Sequence, residues 1–140
     1  METKLIPPLD DDDYPDEIGQ PQTQLEVEQK DIEWLSGWLE GEGSFGIDKD
    51  KRHEGRFRSP RIQSGSDDKD VVEEAARILG VNCLGPYRNK GRDVEHYSMC
   101  LTGRRAYEWM KLLLPYMRGM RRASRINELL QDFKAKYDRG

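Results

Sequence analysis

The stretch Leu35-Ser36-Gly37-Trp38-Leu39-Glu40-Gly41-Glu42-Gly43, continued by Ser44-Phe45, decides how this chain is read. Ile32, Leu35 and Leu39 recur at helical spacing, with Trp34 and Trp38 on adjoining faces, and Asp31 stands where an N-cap belongs. Gly41-Glu42-Gly43 must end this helix, because closely spaced glycines disfavour its continuation. Gly37 and Gly41 fall on one helix face beside Ser36. Small residues there let a second helix backbone approach closely, so the face suits a helix–helix contact. From Ser44 to Asp50 the period changes to two, with Phe45 and Ile47 alternating against Ser44, Gly46 and Asp48. That is a strand following directly on the helix.

Further along, strands and helices continue to alternate. A charged turn, Lys51 to Gly55, leads to a second strand, where Phe57 points away from Arg56 and Arg58. Ile62 is out of phase with Phe57, so a bulge is expected at Ser59-Pro60. Asp67 and Asp68 open a second helix, whose stripe of Val71, Val72, Ala75, Ile78 and Leu79 is closed by Gly80. A hairpin follows, with strands Asn82 to Asn89 and Val94 to Thr102 about Gly91. A symmetric register about that turn sets Cys83 opposite Cys100, as two reduced, half-buried thiols. A third helix carries Ala106, Trp109, Met110, Leu113 and Leu114, punctuated by Pro115 and Gly119. The last carries Ile126, Leu129, Leu130, Phe133 and Tyr137, with Arg118, Arg121, Arg122 and Arg125 at its start. The order αββαββα, with one more helix, predicts an α+β fold: a four-stranded antiparallel sheet with helices on one face. Its other face would carry Arg56, Arg58, Arg61, Gln63, Arg88, Lys90, His96 and Ser98, polar and basic. Trp34, Trp38 and Trp109 are expected in the core.

Charge divides the chain. Its 140 residues carry a net charge of -4, with 35% hydrophobic and 36% charged residues. Residues 1–30 hold nine acids and two bases, while residues 31–140 hold eighteen acids and twenty-one bases. The acidity belongs to residues 1–30, where Pro7, Pro8, Pro15, Pro21 and the run Asp10 to Asp13 predict a disordered leader. Residues 31–140 form the predicted domain, which is mildly basic. No apolar run reaches the roughly 20 residues of a membrane helix, and no secretory signal is visible. The two histidines and two cysteines lack zinc-finger spacing. An intracellular protein, in cytoplasm or nucleoid, is expected, with no membrane partner and no small-molecule cofactor.

The segment Leu35 to Gly43 with Ser44-Phe45 resembles the LAGLIDADG signature of homing endonucleases, and the downstream order of elements is similar to that family over about residues 31–137. The resemblance implies a site-specific double-strand DNA endonuclease of the kind that mobile elements such as introns and inteins encode. A single motif implies a homodimer through the motif helix, with Leu35, Ser36, Gly37, Trp38 and Gly41 at the interface. Glu42 would then lie beside its partner copy, where two close carboxylates repel unless a cation sits between them. Mg2+ or Mn2+ fits hard oxygen donors. The family places a metal-binding acid at the position of Glu42, usually aspartate, and a carbonyl ligand at Gly41. The bland alternative for Glu42 is a helix-end carboxylate on the surface. Glu40 is expected to be structural or solvated.

The resemblance also implies a basic residue after the turn that ends the third helix. Pro115-Tyr116-Met117 matches that turn, and Arg121 is the candidate, though arginine stays protonated and cannot act as a base. A polar residue before the second helix would hold water, and Gln63, Ser64 or Asp68 could match. Sequence reading would fall to strand side chains in the major groove: Lys49, Lys51, Arg56, Arg58, Arg61, Gln63, Arg88, Lys90, Arg92, His96 and Ser98. The competing function is a non-cleaving nucleic-acid-binding module of the same fold, maturase-like or a transcriptional regulator.

Overall fold

A hand-over without a loop sets the architecture. Helix α1 (Gln29–Glu42) ends where strand β3 (Gly43–Lys49) begins. Gly43 makes this possible: a Cβ there would stand 2.6 Å from the Leu39 carbonyl oxygen, so no other residue fits without displacing backbone. The computed structural model describes residues 3–6, 25–49, 58–88, 91 and 94–138. Strand β1 (Thr3–Ile6) and β2 (Leu25–Glu28) precede α1. After β3 come β4 (Arg58–Ser66), α2 (Lys69–Leu79), β5 (Leu84–Arg88), β6 (Glu95–Thr102), α3 (Arg104–Leu113), a 3-10 turn (Leu114–Tyr116) and α4 (Met120–Tyr137).

Strands β3 to β6 form one antiparallel sheet in the order β3-β4-β6-β5, with the α+β architecture expected. The helices supply the apolar stripes that cover it. Ile32, Leu35 and Leu39 from α1, Val72, Ala75 and Leu79 from α2, Trp109, Met110 and Leu113 from α3, and Ile126 and Leu129 from α4 are buried against Phe45, Ile62, Met99 and Leu101. Full burial of one such aliphatic side chain contributes roughly 1.5–3 kcal/mol. Gly80, in the left-handed region at φ 76°, closes α2 by donating to the Ala76 and Arg77 carbonyls. No helix among the described residues is long and apolar enough to cross a membrane.

Three local expectations are corrected. Strand β4 runs without the bulge expected at Ser59-Pro60: its pairing with β3 is continuous from Gly43↔Ser64 to Lys49↔Arg58. Asp31 is not the N-cap of α1; it sits in the first turn, favourable to the helix dipole, 3.8 Å from Arg77. Cys83 is not opposite Cys100. The symmetric register holds at Tyr87↔His96 and Arg88↔Glu95, but a shift before Tyr87 sets Leu84 against Ser98. Cys100 instead pairs with Gln63 of β4, and both thiols are free and half-buried.

The expected leader carries structure at both ends. Thr3–Ile6 pairs antiparallel with Leu25–Glu28, β2 runs straight into α1, and Val27 belongs to the core. Residues 7–24, including the run Asp10 to Asp13, lie outside the described residues.

Candidate nucleic-acid interface and cleavage site

The motif helix divides its small residues between two faces. Leu35 and Ser36 turn into the protomer's own core, at 0% and 1% exposure, and the Ser36 hydroxyl donates to the Ile32 carbonyl at 2.7 Å. They are therefore not free for a helix partner, contrary to expectation. Gly37 and Gly41 are exposed, and a Cβ added at either would meet nothing within 4 Å. Trp34 and Trp38 flank them, stacked with centroids 6.0 Å apart and planes within 6°. Trp34 is 40% exposed, so it lies outside the core where the sequence reading put it, whereas Trp109 is fully buried. The spacing of Trp34, Gly37, Trp38 and Gly41 along one face was readable as a second stripe.

At the C-terminal end of α1, Gly41 and Glu42 are both exposed. The last carbonyls of a helix lack intrahelical partners. Here the Leu39 carbonyl accepts from the Gly43 N–H, and the Glu40 carbonyl accepts from Arg122 Nε at 3.2 Å. Next along the chain are the Gly41 carbonyl and the Glu42 carboxylate, hard oxygen donors of the kind Mg2+ prefers. Among the described residues no three acids, histidines or cysteines come together.

Helix α4 grips both sides of that helix end. The Glu40 carboxylate accepts from the Gly119 N–H at 2.5 Å, satisfying a donor at the N-cap of α4. Arg125 Nε donates to the Phe45 carbonyl at 3.2 Å, three residues past Glu42. Arg121, Arg122 and Arg125 line a cleft of about 330 Å³ with Ser44, Phe45 and Glu128. Glu128 offsets Arg125 at 3.1 Å, and Arg121 is exposed at the cleft. The cleft therefore combines positive charge with a position beside the motif, which suits a phosphate. Glu40 is structural, as expected. The anchoring by Arg122 and Arg125 was not read from sequence, since it depends on contacts eighty residues apart.

The sheet face away from the helices is polar. Cross-strand partners share a face, so Ser44, Gln63 and Cys100 stand in one row, Gly46, Arg61 and Thr102 in another, and Gly65, Ser98 and Leu84 in a third. The Arg61 guanidinium lies over Gly46, where a Cβ would come within 3.0 Å of it. Arg61 Nε is buried without a hydrogen-bond partner among the described residues, a donor with capacity to spare. The His96 ring lies over Gly65, with Nδ1 3.0 Å from Asp67. Burial pushes the Cys100 thiol up, so it stays protonated on this face.

No sequence-family profile matches the chain, and no curated protein does. Solved structures do. The chain is similar to the homing endonuclease I-CvuI, crystallised with the I-CreI target in the presence of Mg, at 18% identity over 76% of this chain and 67% of that one, TM-score 0.57. It is similar to the group I intron-encoded homing endonuclease I-CeuI, complexed with DNA, at 17% identity over 81% and 60%, TM-score 0.50. The LAGLIDADG homing endonuclease I-GzeII, in complex with its DNA target, matches at 18% identity over 90% and 44%, TM-score 0.49. The fold is that of the LAGLIDADG homing endonucleases. The chain spans between 44% and 67% of these neighbours' own length.

Within the LAGLIDADG fold, the residues picked from sequence separate into groups. Arg61, Gln63, His96 and Ser98 do share the outer sheet face. Arg58 and Arg88 do not, which corrects the expectation. Pro60, Ile62 and Ser64 of β4 are buried, so Arg58 has the helix-side parity, at the strand end where its carbonyl accepts from Lys136 at 3.1 Å. Arg88 pairs with Glu95, on the side of Met99 and Leu101, with the ions 3.8 Å apart. Lys49 shares Arg58's row at the sheet end, exposed. Without the expected bulge, Arg58, which precedes Ser59-Pro60, changes face relative to the sequence reading, whereas Arg61 after it keeps the expected face. Lys51, Arg56, Lys90 and Arg92 lie outside the described residues.

Of the polar residues before α2, Gln63 is exposed opposite Ser44, two residues from Glu42. Ser64 is buried opposite Gly43, its hydroxyl without a partner among the described residues. Asp68 occupies the N-cap position of α2, where its own N–H donates to the Ser66 hydroxyl at 3.0 Å. Gln63 is thus the polar side chain that pairing brings next to the motif.

Proposed function

We propose that this chain is a site-specific double-strand DNA endonuclease that acts as a homodimer with a divalent metal. The observation carrying this reading is the exposed Gly41-Glu42 end of α1, held between two α4 arginines, at the junction of an open small-residue helix face and a polar sheet face. Two strands must be cut, and each chain carries one motif, so two copies would meet through Gly37 and Gly41 between their tryptophans. That contact would bring the two Glu42 carboxylates together.

Glu42 and the Gly41 carbonyl would hold Mg2+ or Mn2+. Bound there, the metal supplies Lewis-acid stabilisation and an activated water. Arg121 neutralises charge on the scissile phosphate; being always protonated, it takes no proton. Arg122 and Arg125 keep the helix end and β3 in place, and Gln63 orients water beside Ser44. Arg61, His96 and Ser98 read base edges in the major groove, where arginine suits guanine.

The test is cleavage of a randomised double-stranded DNA library with Mg2+, for the native chain beside Glu42→Gln. Defined ends from the native chain only, with duplex binding kept in the variant, are expected. Salt-dependent binding by both without cleavage would instead establish a recognition module.

A further inference from the structure

Across β3, β4 and β6 the outer sheet face carries small or polar side chains, from Ser44 and Asp48 through Arg61 and Gln63 to Ser98, Cys100 and Thr102, and β5 is the exception. Leu84 and Tyr87 of β5 are exposed, at 42% and 50%. They are three residues apart, a spacing that puts two side chains of a regular strand on opposite faces. The register shift between them cancels this. Leu84 pairs with Ser98 and Tyr87 with His96, and Ser98 and His96 share a face. Both apolar side chains therefore point outward, on the same side as Arg61 and Gln63. An edge strand exposing two large apolar groups is a liability unless something covers them.

We propose that Leu84 and Tyr87 are specificity-determining residues that contact the 5-methyl groups of thymine in the major groove. This rests on the DNA-endonuclease reading above. A protein partner is a poorer fit: two isolated side chains in a polar face fall well below the roughly 1,000 Å² that a specific interface requires. A groove edge needs only single apolar contacts, and the thymine methyl is the apolar group that B-DNA presents there. The row of Leu84 contains Ser98 and Gly65, and Gly65 lies one residue beyond Ser64, the partner of Gly43. The pair therefore reads base pairs at the motif end of the sheet, near the scissile phosphates. Lys49 and Arg58 mark the opposite end of the sheet.

The test uses the full chain and the duplex recovered from library selection. Each thymine is replaced singly by uracil, which removes the methyl and keeps every hydrogen-bonding group. Equilibrium binding is measured in EDTA. One or two thymines in the inner part of each half-site are expected to lose about fourfold in affinity, the worth of one buried methyl group. Leu84→Ala and Tyr87→Ser, both at exposed positions, are expected to bind thymine and uracil duplexes equally there. A flat scan with the native chain, a selected site without inner thymines, or variants that keep the native sensitivity would each overturn the inference. Failure of the selected duplex itself to bind would remove the parent reading, a result distinct from a flat scan.

Discussion

Replacing Glu40 separates two roles that neighbouring acids of the motif could play. The Glu40 carboxylate caps α4 through the Gly119 N–H at 2.5 Å. Its backbone carbonyl separately holds Arg122, and that bond survives any side-chain change. Loss of an N-cap costs about 1 kcal/mol, and a hydrogen bond to a charged group is worth about 1.5–3 kcal/mol when shielded. Glu40 is half-buried, so solvent screening pulls the value toward the lower figure. Glu40→Ala should therefore cost about 1.5 kcal/mol. Glu40→Gln keeps an acceptor oxygen and should cost about 0.5 kcal/mol. The assay is urea unfolding, with an unchanged slope as the control for a two-state comparison. In parallel, Glu40→Gln should still cut the selected duplex, whereas Glu42→Gln should not. Glu40→Ala as stable as the native chain would refute the capping role. Loss of cleavage in Glu40→Gln at native stability would make Glu40 a metal ligand.

Other consequences can be measured independently. Gly37→Ala should stabilise the isolated fold by about 0.5–1 kcal/mol through helix propensity, because its Cβ meets nothing within 4 Å; if the open face is the dimer contact, Gly37→Leu should shift sedimentation toward monomer at concentrations where the native chain is dimeric. Gly65→Ala should destabilise by roughly 1–3 kcal/mol in thermal or urea melts, since its Cβ would stand 2.9 Å from the Tyr97 carbonyl oxygen. Tyr107→Phe removes the 2.6 Å bond from the phenol to Asp138, which docks the end of α4 on α3. That bond holds the Asp138 carboxyl below its ordinary value, while burial, foremost, and Asp138 push the Tyr107 phenol up. A lowered acid stabilises above its unfolded pKa and loses this as pH falls; a raised phenol stabilises below its unfolded pKa and loses this as pH rises. The native-minus-variant stability, about 1 kcal/mol after allowing for exposure, should be flat between about pH 5 and 10 and close at both ends.

Local signals made most of the fold legible. The glycines after Leu39 end α1 where expected, and the stripes of α2 and α4 are buried as their spacing requires. Errors arose where distant partners decide. Whether Arg58 faces the helices depends on β3 pairing with β4 without slippage, and Pro60 gave a local reason to expect a bulge that the sheet does not contain. The register shift at Leu84 likewise depends on β6. No local pattern says that Thr3–Ile6 will find Leu25–Glu28. In the candidate site, Glu42 and Gly41 stand exposed at the helix end, but Leu35 and Ser36 were misplaced because the glycine face and the core face adjoin. The bracing of the helix end by Arg122 and Arg125 is a tertiary fact, invisible to spacing.

The antiparallel order β3-β4-β6-β5 sends the two hairpins in opposite directions. Lys49 and Arg58 mark one end of the sheet, Arg88 and Glu95 the other. At about 3.3 Å per residue along a strand, those ends lie on the order of 30 Å apart. Substitutions so far apart add without coupling. On the DNA-reading role proposed above, the surface would be modular: one hairpin would drift to new base pairs while the other holds the site, so a change of target would accumulate in halves without both ends changing in a single step.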